Sequence, residues 1–274
     1  MNELSERFKI LRESGRALIA FNVQNVNQLK ILSIVSTTMG SPVMAQISKK
    51  YVDFLDGQIG LKNIVQKYQN DMVTFHLDHC MDLSIIKRCL EAGFKSVMYD
   101  GSSLSLEDNI KYTNIAYKMA REYGALLEAE LGTIQGVEDG VGSEEGLYYS
   151  KKELQRFADE AKFDLLALAI GNAHGEYSSF ENINMDLLSD AEKLIGQQLF
   201  VLHGGTGMTD EMIKKAISFG VVKLNVSTAL KLATYESMKD YLDTNTMYNE
   251  DNFFLGLKKN LSSLYSQYIK KFTS

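Results

Sequence analysis

Eight short apolar runs, each finishing in polar residues or glycine and each followed by a stretch of helical periodicity, constrain this chain more than any other feature. They lie at about 17–23, 42–48, 72–79, 96–101, 125–132, 165–171, 199–203 and 221–226. Helical stretches fall at about 25–38, 60–69, 82–93, 106–123, 151–161, 184–196, 209–219 and 228–243, with an amphipathic helix over about 2–14 in front and another at about 252–271 behind. Asn25 and Asp82 are N-cap residues in this reading, and Gly93 closes the helix that Asp82 opens. Strands alternating with helices imply parallel pairing through right-handed crossovers, and eight strands close a barrel of about this length. The expected architecture is α/β, a (β/α)8 TIM barrel with an N-terminal helix and an extra C-terminal helix. The competing arrangement is a doubly wound open sheet. Polar strand ends favour the barrel, which gathers them all at one mouth.

With 274 residues, 45% of them apolar and 23% charged, the chain suffices for one large core, and 1–274 is expected to form one domain. There is no internal repeat or low-complexity segment, and the single proline, Pro42, marks no boundary. The net charge is -6 and no basic run exceeds a lysine pair, which argues against nucleic acid or an anionic membrane and for a small-molecule partner. No apolar stretch reaches the length of a spanning helix, and Met1-Asn2-Glu3 opens an acidic amphipathic segment unlike a signal peptide. Cytoplasmic location is expected, with Cys80 and Cys89 as free thiols.

The third run carries the chemistry. Val73, Phe75 and Leu77 alternate with Thr74, His76 and Asp78, so an apolar strand has one polar face. Imidazole and carboxylate buried without partners cost several kcal/mol, so this face is either a hydrogen-bonded knot or a metal and proton-transfer site. The chain has four histidines, His76, His79, His174 and His203, in three segments that each end a strand. Any one of them alone reads as a satisfied core histidine, but three imidazoles at three strand ends match the ligand count of a catalytic zinc site. Cys80 reads as a small buried filler beside them.

The fifth strand places Glu128 and Glu130 on one face, and Lys223 shares the inward parity of Asn225 on the eighth strand, which suggests a Glu128–Lys223 pair. A glycine-rich acidic loop from Gly132 to Gly146 contains Glu138-Asp139, read as a lid rather than a solvated loop. After the seventh strand Gly204-Gly205-Thr206-Gly207 exposes backbone N–H groups and Thr209-Asp210 caps a helix, while Asn225-Val226-Ser227-Thr228 opens another. Two helix N-termini after these strands are the usual phosphate cradle of such a barrel.

These residues also carry a resemblance. Leu77-Asp78-His79, Asp100-Gly101-Ser102, Glu128-Ala129-Glu130-Leu131-Gly132, Gly136-Val137-Glu138-Asp139, Ala173-His174-Gly175 and His203-Gly204-Gly205-Thr206-Gly207 occur in the order of the class II, zinc-dependent ketose-bisphosphate aldolases. The chain resembles that family from about Ala20-Phe21-Asn22 to Asn225-Val226-Ser227-Thr228. The resemblance implies Zn2+ bound by His79, His174 and His203, with Glu130 a carboxylate near the metal and in some members an alternate ligand. It implies Asp78 as the acid/base for the C4 hydroxyl and Glu138 as the loop carboxylate that exchanges the C3 proton. Asn22, Ser48, Gly175, Gly204, Gly205, Thr206, Asn225, Ser227 and Thr228 correspond to substrate and phosphate contacts, where family members also hold a monovalent cation, Na+ or K+. Dihydroxyacetone phosphate would be the shared product, and a homodimer or homotetramer the usual assembly.

The chemistry needs these residue types in any case. Breaking a C3–C4 bond leaves a carbanion that a metal stabilises as a Lewis acid, while one group takes the C4 hydroxyl proton and another returns a proton to C3. The chain departs from the family at Gly171-Asn172-Ala173, at Ser178-Ser179-Phe180-Glu181-Asn182 where a lysine is usual, and at Asp243-Thr244-Asn245 in place of an Asp-Pro-Arg pattern. Those positions concern the far end of the substrate. Fructose 1,6-bisphosphate is the expected ketose, with tagatose 1,6-bisphosphate or another phosphorylated ketose as alternatives. A zinc hydrolase, a Schiff-base aldolase using Lys223 and a noncatalytic partner subunit are the more distant readings.

Overall fold

The computed structural model describes residues 3–138, 141–143, 146–173, 175, 183–247 and 249–273, with the backbone alone at 58–59, 137–138 and 141–143. In chain order the strands are β1 (Leu18–Asn22), β2 (Val43–Ser48), β3 (Val73–Asp78), β4 (Ser96–Tyr99), β5 (Leu126–Leu131), a short antiparallel hairpin of β6 (Gly136–Glu138) and β7 (Val141–Ser143), then β8 (Leu165–Leu168), β9 (Phe200–Leu202) and β10 (Val221–Val226). All but the hairpin pair in parallel with their neighbours, and β1 pairs with β10 to close an eight-stranded barrel. The helices are α1 (Glu3–Ser14), α2 (Val26–Met39), α3 (Lys49–Ile59), α4 (Leu61–Tyr68), α5 (Leu83–Ala92), α6 (Leu106–Glu122), α7 (Lys151–Glu160), α8 (Met185–Ile195), α9 (Asp210–Ser218), α10 (Thr228–Thr244) and α11 (Glu250–Phe272). The expected caps form: Asn25 accepts from the Gln28 N–H, Asp82 from the Ser84 N–H, and Gly93 ends α5 in the left-handed conformation.

Two elements depart from the sequence reading. Helix α3 follows β2 without a loop, its N-cap Ser48 makes no capping bond, and Gly57 lies inside it, so the usual start signal is missing. The loop from Gly132 to Gly146 contains the β6–β7 hairpin, whose three-residue strands are too short to show a period.

The barrel has two apolar regions. Outward-facing residues such as Ile19, Phe21, Phe75 and Leu77 pack against the helices, with Tyr265 of α11 edge-on to Phe21 at 4.7 Å between ring centroids. Inside, Leu18, Ala20, Met44, Met98, Leu126, Leu165, Val201 and Val222 form a second cluster, closed by Leu4, Phe8 and Leu11 of α1. Each large side chain in that plug contributes about 1.5–3 kcal/mol through burial. Farther along the strands the interior turns polar, first with Gln46, His76, Ser96, Glu128 and Lys223 and then with the residues at the C-terminal mouth. A register shift between Val221 and Lys223 accompanies the burial of both Val222 and Lys223. Among the described residues no helix is long and apolar enough to cross a membrane.

Candidate active site

Strand alternation aims Asp78 into the barrel, and by the same rule His79 would face the helices. It does not, because His79 has φ 39, the one positive φ outside glycine among the described residues. That turn costs about 1–3 kcal/mol and swings the imidazole back over the mouth, so two consecutive side chains serve one site. His79 Nδ1 lies 2.8 Å from Asp100 Oδ2, and Asp100 Oδ1 accepts from the Ser102 N–H at 3.1 Å and the Ser102 hydroxyl at 2.7 Å. Across the mouth His203 Nε2 lies 2.8 Å from Glu128 Oε1, and the His203 carbonyl accepts from Asn172 Nδ2 at 3.1 Å.

These contacts fix both tautomers. Ionised carboxylates only accept, so His79 carries its proton on Nδ1 and His203 on Nε2. The remaining nitrogens, His79 Nε2 and His203 Nδ1, face one another at 2.8 Å. Two lone pairs at that distance repel unless a proton lies between them. Beside them are Asp78 Oδ1, 4.0 Å from His79 Nε2, and Glu130 Oε2, buried without a hydrogen-bond partner among the described residues and 3.7 Å from His79 Nδ1. Asp78, His79 and His203 form one group able to hold a metal ion, and His79, Asp100 and Glu130 another. Carboxylates behind imidazoles are the common outer support of such sites. His174, the third expected ligand, lies outside the described residues, as does the side chain of Glu138 at the end of β6.

The surrounding charges match this arrangement. Burial pulls the His79 imidazole down, but Asp78, the Asp100 hydrogen bond and Glu130 outweigh it and hold the group well above its ordinary value. Burial pushes Glu130 well up, reinforced by Asp100. Asp100 resists its own burial through His79 and Ser102 and is held down at about 2. His76 is pushed well down by burial and Lys223, and it is satisfied inside the barrel, with Nδ1 2.8 Å from Ser96 Oγ and Nε2 3.2 Å from Lys223 Nζ. The expected Glu128–Lys223 pair forms at 2.8 Å. Cys80 is buried, its thiol pushed up to about 11 by burial, which suits a filler and not a thiolate ligand.

Asp78 is held by amides. Asn22 Nδ2 donates to Asp78 Oδ2 at 2.8 Å, Gln46 Nε2 donates to Asn22 Oδ1 at 2.7 Å, and Asn225 Nδ2 lies 3.5 Å from Asp78 Oδ1 and 3.2 Å from the His203 ring nitrogens. On the neighbouring side, Gly204 has φ 67, and a Cβ on Gly205 would come within 2.5 Å of Leu224 Cδ1. Thr206 Oγ1 accepts from the Ala229 N–H, tying the glycine turn to the first turn of α10. Ser227, the N-cap of α10, makes no capping bond, and its buried Oγ has no hydrogen-bond partner among the described residues. Thr228 begins that helix, whose first turn has no acidic residue. The N-terminus of α9 differs: Thr209 caps it, Asp210 and Glu211 occupy its first turn, and Lys271 pairs with Asp210. Ser48 is buried at the end of β2, and Gly175 has φ 104 with open space at its Cβ position.

The sequence reading assigned no role to Asp100, Ser102, Gln46 or Asn172. Asp100 carried the signal that singled out Asp78, a carboxylate ending an apolar run. Gln46 interrupts Ala45 and Ile47 in β2, an equally legible anomaly.

Fold and site define a class, a (β/α)8 barrel whose mouth gathers imidazole and carboxylate donors beside a helix N-terminus with an unengaged hydroxyl. Within it the family model described as fructose-bisphosphate aldolase class-II matches residues 2–274, and the chain belongs to that family, whose members are lyases of aldol cleavage. It is 35% identical to a sulfofructosephosphate aldolase of Alkalicoccus urumqiensis over 85% of this chain and 82% of that protein. It is 33% identical to a D-tagatose-1,6-bisphosphate aldolase subunit of Klebsiella oxytoca over 88% and 86%, and 31% identical to a fructose-bisphosphate aldolase of Staphylococcus aureus over 89% and 87%.

Proposed function

We propose that the protein is a zinc-dependent enzyme for reversible cleavage of a ketose 1,6-bisphosphate, fructose 1,6-bisphosphate first, into dihydroxyacetone phosphate and glyceraldehyde 3-phosphate. The observation that carries this reading is the convergence of His79 Nε2 and His203 Nδ1 on one point, each ring backed by a carboxylate. His79, His203 and His174 would hold the ion, with Glu130 as the alternate donor. When bound there, zinc supplies a Lewis-acid charge for the negative charge that develops on the substrate.

The chain's own residues divide the proton work. Asp78, oriented by Asn22 and Asn225, takes the C4 hydroxyl proton as the C3–C4 bond breaks and C4 becomes the aldehyde. The bond electrons stay with the C3 fragment, and Glu138 returns a proton to C3. Ser227, Thr228, Gly175, Gly204, Gly205 and Thr206 bind the phosphate of the dihydroxyacetone half. The unengaged Ser227 hydroxyl at the start of α10 supports this, and a monovalent cation held by backbone oxygens would sit in the same place. Asn22 and Ser48 face the rest of the sugar. Lys223 is unsuited to Schiff-base chemistry, because its ammonium is buried on Glu128 and His76.

The second reading concerns the ketose alone. The three relatives are named for three different phosphorylated ketoses at 31–35% identity, which favours no one substrate strongly. A panel of fructose 1,6-bisphosphate, tagatose 1,6-bisphosphate and sulfofructose phosphate, each with and without chelator, tests both levels. Zinc-dependent release of dihydroxyacetone phosphate from either bisphosphate supports the reading. Release from sulfofructose phosphate alone keeps the zinc aldol chemistry but removes the bisphosphate as substrate, and no release from any overturns it. Two buried free thiols suit a reducing cytoplasm. We assign a homodimer on the exposed apolar stripe of Leu232, Tyr235, Met238 and Leu242 on α10. An antiparallel copy of the same helix would set Glu236 of one chain near Lys239 of the other. Sedimentation at monomer mass would remove that assignment.

A further inference from the structure

One buried group takes no part in the proton transfers above. Lys223 is fully buried on β10, and its Nζ donates to Glu128 Oε2 at 2.8 Å and lies 3.2 Å from His76 Nε2. His76 in turn places Nδ1 2.8 Å from Ser96 Oγ, so the imidazole donates there and accepts from the ammonium. The other oxygen of Glu128 accepts from His203 Nε2 at 2.8 Å. Five side chains, from β4, β3, β10, β5 and the residue just after β9, thus form one hydrogen-bonded line across the barrel, ending on the ring whose Nδ1 faces His79.

Each member has a single satisfactory orientation. Glu128 has two oxygens and two donors, and the ammonium occupies Oε2, leaving Oε1 for the Nε2–H of His203. That bond leaves the proton off Nδ1. We propose that Lys223 is a positioning residue of the metal centre: by anchoring Glu128 it holds His203 in the Nε2–H tautomer and so reserves His203 Nδ1 for the ion. This rests on the reading that His79 and His203 hold zinc. Loss of the ammonium would leave Glu128 with one anchor and a buried negative charge with no counterion, and breaking one partner out of such a pair is costly. The carboxylate then turns, the ring loses its fixed acceptor at Nε2, and both tautomers of His203 become populated. A second variant separates this from plain misfolding. In Lys223→Met/Glu128→Gln no buried charge is orphaned. The glutamine NH2, at the place of Glu128 Oε2 3.5 Å from His76 Nε2, takes over the anchor by donating to that ring nitrogen, and the glutamine carbonyl still accepts from His203 Nε2–H.

The test uses full-length wild type, Lys223→Met and Lys223→Met/Glu128→Gln. Zinc affinity is measured by competition with a chromophoric chelator. The His203 tautomer is read from imidazole 15N shifts of the metal-free proteins at one fixed pH. Lys223→Met should bind zinc about 10- to 100-fold more weakly, the range for losing an outer support of a metal ligand, and should show mixed His203 tautomers. Its kcat should recover in saturating zinc with KM unchanged. The double variant should bind zinc within several-fold of wild type with a single Nε2–H tautomer. Wild-type affinity and a single tautomer in Lys223→Met would overturn the proposal. So would a double variant that folds but shows mixed tautomers, and this second arm decides if Lys223→Met fails to fold. Wild type that binds no zinc would instead remove the metal reading beneath it.

Discussion

Asp78 and Asp100 are both buried carboxylates beside His79, yet their partners give them opposite tasks. Asp78 is held by the Asn22 and Asn225 amides, which donate to its oxygens and fix its orientation. Asp78→Asn should therefore lower kcat/KM by about 10²- to 10⁴-fold, the usual worth of a positioned general base, while zinc content stays at the wild-type level. Asp100 instead fixes the Nδ1 proton of His79. Asp100→Ala should weaken zinc binding about 10- to 100-fold, measured by chelator competition, and saturating zinc should restore much of the rate. The reverse pattern, zinc lost from Asp78→Asn and retained by Asp100→Ala, would exchange their roles. At this scale the sequence showed which residue types end each strand but not which of them meet. The turn at His79 that brings it beside Asp78 depends on one backbone angle that no periodicity encodes.

At the scale of elements, the exit of β5 decides where the hairpin that bears Glu138 begins. Gly132 has φ 75, and a Cβ there would lie 2.7 Å from the Leu147 carbonyl oxygen and 2.8 Å from Ala169 Cβ. Thr133 and Leu147 exchange backbone hydrogen bonds at 2.8 and 2.9 Å, so the two ends of this loop are clamped just beyond that glycine. Gly132→Ala should destabilise the protein by about 1–3 kcal/mol from backbone strain, with further loss from the close contacts, measured as a lowered midpoint in urea. An unchanged midpoint would mean that the loop root can shift freely. The eight barrel strands were legible because each is an apolar run bounded by glycine or a cap, and their observed ends fall short of the expected ones where polar terminal residues turn toward the site. Helix α3 was not legible, since it starts directly from β2 with no capping side chain. The hairpin was hidden by its own brevity.

For the whole molecule, the site links stability to protons and, on the proposed reading, to a metal ion as well. In the metal-free protein the folded state holds His79 and Glu130 well above their ordinary values of 6.5 and 4.5. A group raised on folding stabilises fully below its unfolded value and loses that contribution as pH rises through its folded value. His79 therefore favours the folded state up to about pH 6.5 and progressively less above it, and Glu130 adds in the same direction. His76 is lowered and works the other way, but its effect is complete above 6.5, where the imidazole is neutral folded or unfolded. Asp100, held down at about 2, acts only in acid. The Tm of the metal-free protein should thus fall as pH is raised from about 6.5 to 9. On the proposed reading His79 Nε2 and His203 Nδ1 would hold zinc in competition with that proton, and an ion at 1,000 times its dissociation constant would stabilise by about 4 kcal/mol. Protons compete less as pH rises, so the gap in Tm between zinc-saturated and metal-free protein should widen over the same interval. Differential scanning fluorimetry with and without zinc across that range needs no substrate. A metal-free Tm that stays level or climbs, or a gap that narrows with pH, would show that the two imidazoles do not share a cation at this point.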